Sequence, residues 1–78
     1  MNSTFILPSQ LRAEARALFL NYLSAQNPGK VAIFEARDFM TDRLLYKPKF
    51  IGVAESYAAA CEQFGFYYVA NNCEVITL

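Results

Sequence analysis

Residues 54–78, AESYAAACEQFGFYYVANNCEVITL, decide the predicted fold. Up to Phe64 the stretch is helical in character, because a run of alanines stands among apolar residues at helical spacing. Gly65 is then the expected left-handed end of the helix. After this glycine the residues favour strands, and Asn71-Asn72 suits a two-residue turn. The stretch therefore predicts a helix that ends at Gly65 and a β-hairpin over residues 66–78.

Upstream of that stretch, the same helix is predicted to begin near Pro48, since proline suits the first turn of a helix. An earlier helix is predicted from an N-cap at Ser9 to Gln26, where Asn27-Pro28-Gly29 ends it. Its apolar residues lie three and four positions apart and mark the face expected to be buried: Leu11, Ala15, Leu18, Phe19 and Tyr22.

Residues 30–45 fit two interpretations. The alternation that starts at Val31 would suit a short strand over residues 30–36. A helix would instead place four apolar residues on one face: Ile33, Ala36, Met40 and Leu44. We favour the helix, because it covers more residues and uses better helix formers.

The remaining segment, residues 4–7, favours a short strand that ends before Pro8. Taken together, the elements predict an α+β fold with a three-helix core, a C-terminal β-hairpin and a short N-terminal strand. With 78 residues, of which 55% are hydrophobic, the chain is long enough for one domain, residues 1–78, and too apolar for a disordered tail.

Three helices followed by a terminal hairpin resemble a winged helix-turn-helix domain. The stretch from Pro48 to Leu78, which would hold the third helix and the hairpin, carries this resemblance. In that family the third helix is the recognition helix and the hairpin is the wing. The helix commonly ends in Gly and an apolar residue, as Gly65-Phe66 does here. The resemblance implies a winged-helix-like core that binds DNA, with four residues facing the duplex: Lys47, Lys49, Ser56 and Gln63.

The charges depart from those of a DNA reader. The predicted recognition helix exposes Glu55 and Glu62, and Glu74 follows the uncharged wing tip. Seven cations and seven acids, with no histidine, give the chain a net charge of zero. A salt-sensitive DNA binder neutralises about 6–10 phosphates, and one protomer is not expected to supply these contacts because its seven cations are spread over the chain. A dimer would double the number of cations. A DNA-binding transcriptional regulator is therefore the alternative hypothesis.

Catalytic and metal chemistry have little support in the residue types. There is no histidine, no nucleophile motif surrounds the serines, and Cys61 and Cys73 are expected to be reduced and structural. We therefore predict a protein that is not an enzyme and has no metal, cofactor or small-molecule ligand. The N-terminus lacks the basic start of a signal peptide, and no apolar run approaches the ~18–20 residues of a membrane span. This pattern predicts a soluble cytoplasmic protein.

Two groups of residues indicate a surface for a partner. One face of the predicted hairpin carries apolar residues: Tyr67, Val69 and Ile76. The junction before the third helix carries cations: Arg43, Lys47 and Lys49. Each group also has an ordinary explanation, since other elements could cover the apolar residues and the cations could simply be solvated. We favour a small regulatory protein that docks on a protein partner or on a second copy. It would act as an inhibitor or adaptor of the kind often found in phages and mobile elements.

Overall fold

Four consecutive buried residues, Val31 to Phe34, lie at the centre of the fold. The computed structural model describes residues 8–78, with their side chains from residue 13 onward, and places this run in a strand. The elements in chain order are α1 (Pro8–Gln26), β1 (Val31–Arg37), β2 (Leu44–Ala54), α2 (Tyr57–Phe64), α3 (Phe66–Asn72) and β3 (Cys73–Thr77).

The three strands form one antiparallel sheet in the order β2-β1-β3, so β1 is central and the other two are edges. The pairing of β1 with β2 shifts register twice, between Ile33 and Phe34 and again between Glu35 and Arg37. Such irregularities bend and twist a strand pair. The first shift lies within the hydrophobic core, and the second lies where the hairpin leaves it.

Helices cover both faces of the sheet. On one face α2 packs through Ala60 on Val31 and Ile33, and the neighbouring α3 reaches Glu35 through a hydrogen bond from Tyr68. On the other face α1 packs through residues near its C-terminal end on the following group: Ala32, Phe34, Val53, Ile76 and Leu78. Because β1 is covered on both sides, all of its first four residues are buried.

The first helix is confirmed: α1 ends at Gln26 as predicted and begins at Pro8, one residue before the predicted N-cap. The backbone N–H of Asn27 donates to the carbonyl of Leu23 at 2.7 Å, and Gly29 takes a positive φ of 81° that reverses the chain. The expected strand over residues 4–7 lies outside the described residues.

Gly65 separates two helices. It takes a φ of 97°, and its N–H donates to the carbonyl of Cys61 at 2.8 Å, which closes α2 as predicted. Its own carbonyl then accepts from Val69 and starts α3. The helix end was therefore predicted correctly, but the segment that follows it was not.

The predicted C-terminal hairpin is wrong, because residues 66–72 are α3 and only Cys73–Thr77 is a strand. Helical geometry buries Val69 and lets the side-chain amide of Asn72 donate to the carbonyl of Arg37 at 2.9 Å. These long-range contacts outweigh the strand preference of the local sequence. Instead of forming a turn, Asn71 donates to the carbonyl of Tyr67 one helical turn earlier.

The predicted helix over residues 30–45 is wrong over its whole length, and the one over residues 48–64 is wrong over its first half. Residues 31–37 form β1, and Pro48 lies inside β2 rather than at a helix start. Proline is tolerated there because β2 is an edge strand with a register shift beside it. The fold is a mixed α+β structure, but it is not the predicted winged-helix-like arrangement of a three-helix core and a terminal hairpin.

Candidate docking surface

The turn between β1 and β2 is held by backbone hydrogen bonds. The N–H of Asp38 donates to the carbonyl of Arg43 at 2.8 Å, and the N–H of Asp42 donates to the carbonyl of Asp38 at 2.8 Å. Asp42 has a φ of 57°, a left-handed conformation that aspartate tolerates better than most residues. Arg37 adds a bond from its Nη1 to the carbonyl of Asp42 at 2.8 Å.

The side chain of Asp38 fixes the tip of the same turn. Its Oδ1 accepts the backbone N–H groups of Met40 at 2.8 Å and of Thr41 at 2.9 Å. These two bonds favour the ionised form and lower the pKa of Asp38 from its ordinary value of 3.8. The turn is therefore a defined structure, in which few backbone rotations remain free.

This turn and the adjoining part of β2 expose large apolar side chains. Met40 is 87% exposed, Tyr46 80% and Leu44 72%. We define the hairpin surface as five such residues: Phe39, Met40, Leu44, Tyr46 and Phe50. This surface extends around the end of the hairpin, because Phe39 contacts Tyr68 of α3 on one face of the sheet and Phe50 contacts Phe19 of α1 on the other. Burying large apolar side chains is the main source of stability in folded proteins, so a defined turn that exposes several of them is a candidate docking surface.

Cations surround the hairpin surface. Among the described residues, Arg16, Lys30 and Arg37 each have a carboxylate within 4.0 Å. No such pair involves the three cations of the β2 region within that same part of the chain: Arg43, Lys47 and Lys49. From Arg43 to Ala54 the sequence contains no acid. Because Asp38 and Asp42 lie in the turn itself, the positive charge is carried by β2 and the residue before it, beside the exposed apolar side chains.

A groove of about 660 Å³ continues this surface between α1 and β2. Its wall is a cluster of three rings in edge-to-face contact, with Phe50 centred 5.0 Å from Phe19 and 5.5 Å from Phe34. The Arg16 guanidinium lies 5.2 Å from the centre of the Phe34 ring and pairs with Glu74 on β3. The groove is thus lined mainly by aromatic carbon, with cationic side chains beside it.

The edge of β2 is poorly suited to pairing with a foreign strand. Pro48 has no N–H to donate, and Lys47 and Lys49 flank it. Proline and lysine are the residues that natural edge strands use to prevent such pairing. Recognition at this edge therefore falls to side chains.

Tyr68, Glu35 and Cys73 form a polar cluster below α3. The Tyr68 hydroxyl donates to Glu35, and the ring of Phe39 lies edge-on to Tyr68 at 5.8 Å. Burial, with help from that hydrogen bond, raises the pKa of Tyr68, and burial raises the pKa of Cys73. A thiol with a raised pKa is a weak nucleophile at neutral pH, which gives Cys73 no evident chemical role. The contacts of Tyr68 with Glu35 and Phe39 instead connect α3 to the hairpin. Cys61 and Cys73 are both free thiols.

The structure does not bring the predicted apolar site together. Tyr67 is 74% exposed on α3, whereas Val69 is 1% exposed and belongs to the core. Ile76 packs beneath α1 on the opposite face of the sheet. Arg43, at the end of the turn, does lie on the hairpin with Lys47 and Lys49.

The four residues expected to face DNA lie on different elements of the structure. The hydroxyl of Ser56 accepts the N–H of Ala59 at 3.1 Å and serves as the N-cap of α2. Gln63 is exposed on α2, and Lys47 and Lys49 lie on β2. No single helix presents them, because residues 48–54 are part of a strand.

The sequence analysis missed most of the hairpin surface. It placed Met40 and Leu44 on the buried side of a helix and gave no role to Phe39 or Tyr46. The one signal available was Asp38, since aspartate often accepts backbone N–H groups two and three residues later and so starts a turn.

Comparison with protein-family models, with curated proteins and with solved structures gives no match for this chain. In the described part of the chain, no helix has both the length and the apolar character that crossing a membrane requires.

Proposed function

We propose that this chain is a small, non-enzymatic regulatory protein that docks on a protein partner through the hairpin surface, as an inhibitor or adaptor. The observation that carries the proposal is the exposure of Met40 and its neighbours on a turn held by the Asp38 carboxylate. A turn fixed in advance loses little conformational entropy on binding. Its apolar side chains gain free energy when a partner removes them from water.

The shape of the chain supports a role in association. Its radius of gyration is 14.4 Å, whereas a compact domain of 78 residues has about 11–12 Å. The principal extents of 49 × 33 × 12 Å describe a flat, elongated molecule. Such a shape leaves much apolar surface uncovered, and a partner would cover it.

The chemistry of the surface favours an acidic protein with exposed apolar residues. Aromatic and Met side chains are enriched at the centre of protein interfaces, as is arginine. The cations Arg43, Lys47 and Lys49 would meet carboxylates of the partner at the rim of the contact. The mechanism is steric: the docked hairpin masks the partner's working surface or joins it to another protein.

Affinity capture from the native cell, followed by a comparison of variants, tests the proposal. We expect Met40→Asp and Leu44→Asp to lose the captured partner while the circular dichroism spectrum stays native. Tyr67→Ser is the matched control, because it removes a similarly exposed ring from α3 and should leave capture unchanged. If Tyr67→Ser loses the partner and the two hairpin variants keep it, the site lies on α3 and the proposal is wrong.

A DNA-binding regulator is the second candidate, and the cluster Arg43, Lys47 and Lys49 beside exposed rings favours it. Phosphate contacts make affinity fall steeply as salt rises. A fluorescence titration with duplex DNA at two salt concentrations checks this candidate. Salt-sensitive binding that is lost in a Lys47→Glu, Lys49→Glu double variant would favour DNA over a protein partner.

A further inference from the structure

The helix α1 is apolar on two opposite sides. Leu20 and Leu23 pack against the sheet, and Leu23 is only 6% exposed. Leu18 and Tyr22 point away from the sheet and are 70% and 60% exposed. Leu18 and Tyr22 belong to the face of the helix that the sequence predicted to be buried, so most of that predicted face is exposed. The sheet instead covers the side that carries Leu20 and Leu23. Leu18 and Tyr22 lie one helical turn apart on the same side of α1, and none of the described residues buries them.

We propose that α1 pairs antiparallel with α1 of a second copy of the chain. The outer stripe consists of Ala15, Leu18, Tyr22 and Ala25, whose spacings of three, four and three residues are those of a coiled-coil seam. Its first residue, Ala15, also lines the groove between α1 and β2, so the stripe begins on the side of α1 next to β2. All four are exposed. This proposal does not depend on the hairpin surface or on its partner.

The outer stripe is symmetric about Leu20. In an antiparallel pair centred there, Leu18 would pack on Tyr22 of the second copy, and Ala15 would meet Ala25 of the second copy. Each contact is repeated by the two-fold axis, as an isologous dimer requires. The alanines at both ends let the helix backbones approach closely, while the two large residues fill the middle.

The charges also favour a second copy over a different partner. From Ala17 to Gln26 the helix carries no charged side chain, so two copies meet there without repulsion. Glu14 would face the uncharged Gln26 of the second copy in the same register. In a dimer formed through the hairpin surface, by contrast, the cations of one copy would face the same cations of the other copy and repel them. Self-association through α1 would cover the Ala15 side of the groove and leave the turn between β1 and β2 available.

The size of the contact predicts a weak dimer. From Ala15 to Ala25 the stripe is about 15 Å long, at 1.5 Å per residue. A pair of short helices buries less than the ~800 Å² per partner of a standard interface. We therefore expect a dissociation constant on the order of micromolar. Such a dimer would present two hairpin surfaces and so bind a multivalent partner more tightly than one copy does.

Sedimentation velocity on the full chain over a wide concentration range measures this equilibrium. We expect the native chain to shift from monomer to dimer, and the Leu18→Glu and Tyr22→Lys chains to be monomeric throughout. Ala17→Glu is the matched control, because it puts the same charge on an exposed position of α1 outside the stripe. It should dimerise like the native chain.

Mixing the two variants tests the register. In the antiparallel pair, Leu18→Glu of one chain faces Tyr22→Lys of the other, so the mixture should form a heterodimer although neither chain dimerises alone. In a parallel pair, position 18 faces position 18 of the second copy, and a mixture of Leu18→Glu with Leu18→Lys would be rescued instead. Circular dichroism of each variant establishes that α1 is still formed.

Three results would overturn the proposal. The first is a native chain that stays monomeric at all concentrations, whether the stripe is then covered by another protein or by residues 1–7. The second is a dimer that Leu18→Glu leaves intact. The third is a variant mixture that is rescued in the parallel but not in the antiparallel combination.

Discussion

Replacing Val69 with alanine tests the position of α3, which distinguishes the observed fold from the predicted one. Val69 is 1% exposed, and it is one of the two largest fully buried side chains among the described residues. Its neighbour two positions earlier, Tyr67, is 74% exposed on the same helix. Residues two apart point to nearly opposite sides of a helix, but to the same side of a strand.

The expected effects follow from these exposures. Val69→Ala removes two buried carbon atoms and leaves a small cavity, which should lower the free energy of unfolding by about 2 kcal/mol. Tyr67→Ala removes a ring that is mostly in water, so its effect should stay within about 0.5 kcal/mol. For a domain of this size, about 2 kcal/mol corresponds to a Tm lower by about 8–16 °C.

Thermal and urea unfolding, followed by circular dichroism, measure both variants under identical conditions. A large loss for Val69→Ala with little change for Tyr67→Ala supports a helix with one side in the core. Equal losses would indicate that the two side chains share one face of a hairpin. That result would refute the placement of α3 and, with it, the separation of Tyr67 from the core.

Three further predictions concern single turns of the chain. Ser56→Ala removes the N-cap of α2 and should cost about 1 kcal/mol in urea unfolding, and an unchanged midpoint would contradict the cap. Gly65→Ala should cost about 1–2 kcal/mol in the same assay because φ is 97°, although no atom lies within 4 Å of the added Cβ. The pKa of Asp38 is lowered, so its carboxylate stabilises the turn above pH 3.8, and that contribution is lost as the pH falls through the lower folded-state pKa. In an NMR titration, the chemical shift of the Thr41 amide should therefore change with a midpoint below pH 3.8. The Asp38→Ala variant should not show this change.

The parts of the fold that could be predicted are those fixed by local chemistry. The end of α1 follows from Pro28 and Gly29, and the end of α2 follows from Gly65, because these residues restrict the backbone wherever they stand. The α+β character also followed from the mixture of helical and strand-forming segments. None of these inferences needed a contact between distant residues.

The central strand could not be predicted with the same certainty. A strand with one face in water alternates apolar and polar residues, but β1 is covered on both faces and reads as four apolar residues in a row. A short run of this kind does not distinguish a strand from a buried helix. The sequence after it, with Ala36 and Met40 at helical spacing, then favoured the wrong interpretation.

The three cations of the candidate surface were grouped correctly as neighbours, whereas the apolar residues that lie beside them were missed. Arg43, Lys47 and Lys49 lie within seven residues of one another, so any local structure keeps them close. Tyr67 and Val69 were grouped by a strand period that does not exist, and their separation depends on how α3 packs. Burial of an aromatic or aliphatic residue is decided by the whole fold, and the local sequence does not contain that information.

The burial of β1 on both faces sets where this protein is free to evolve. A substitution at Ala32 changes the layer under α1, and one at Ile33 changes the layer under α2, so neither can drift without a compensating change in a helix. The exposed residues from Phe39 to Tyr46 carry no such constraint. The fold would therefore tolerate substitutions at the hairpin end more readily than substitutions in the four-residue centre of β1.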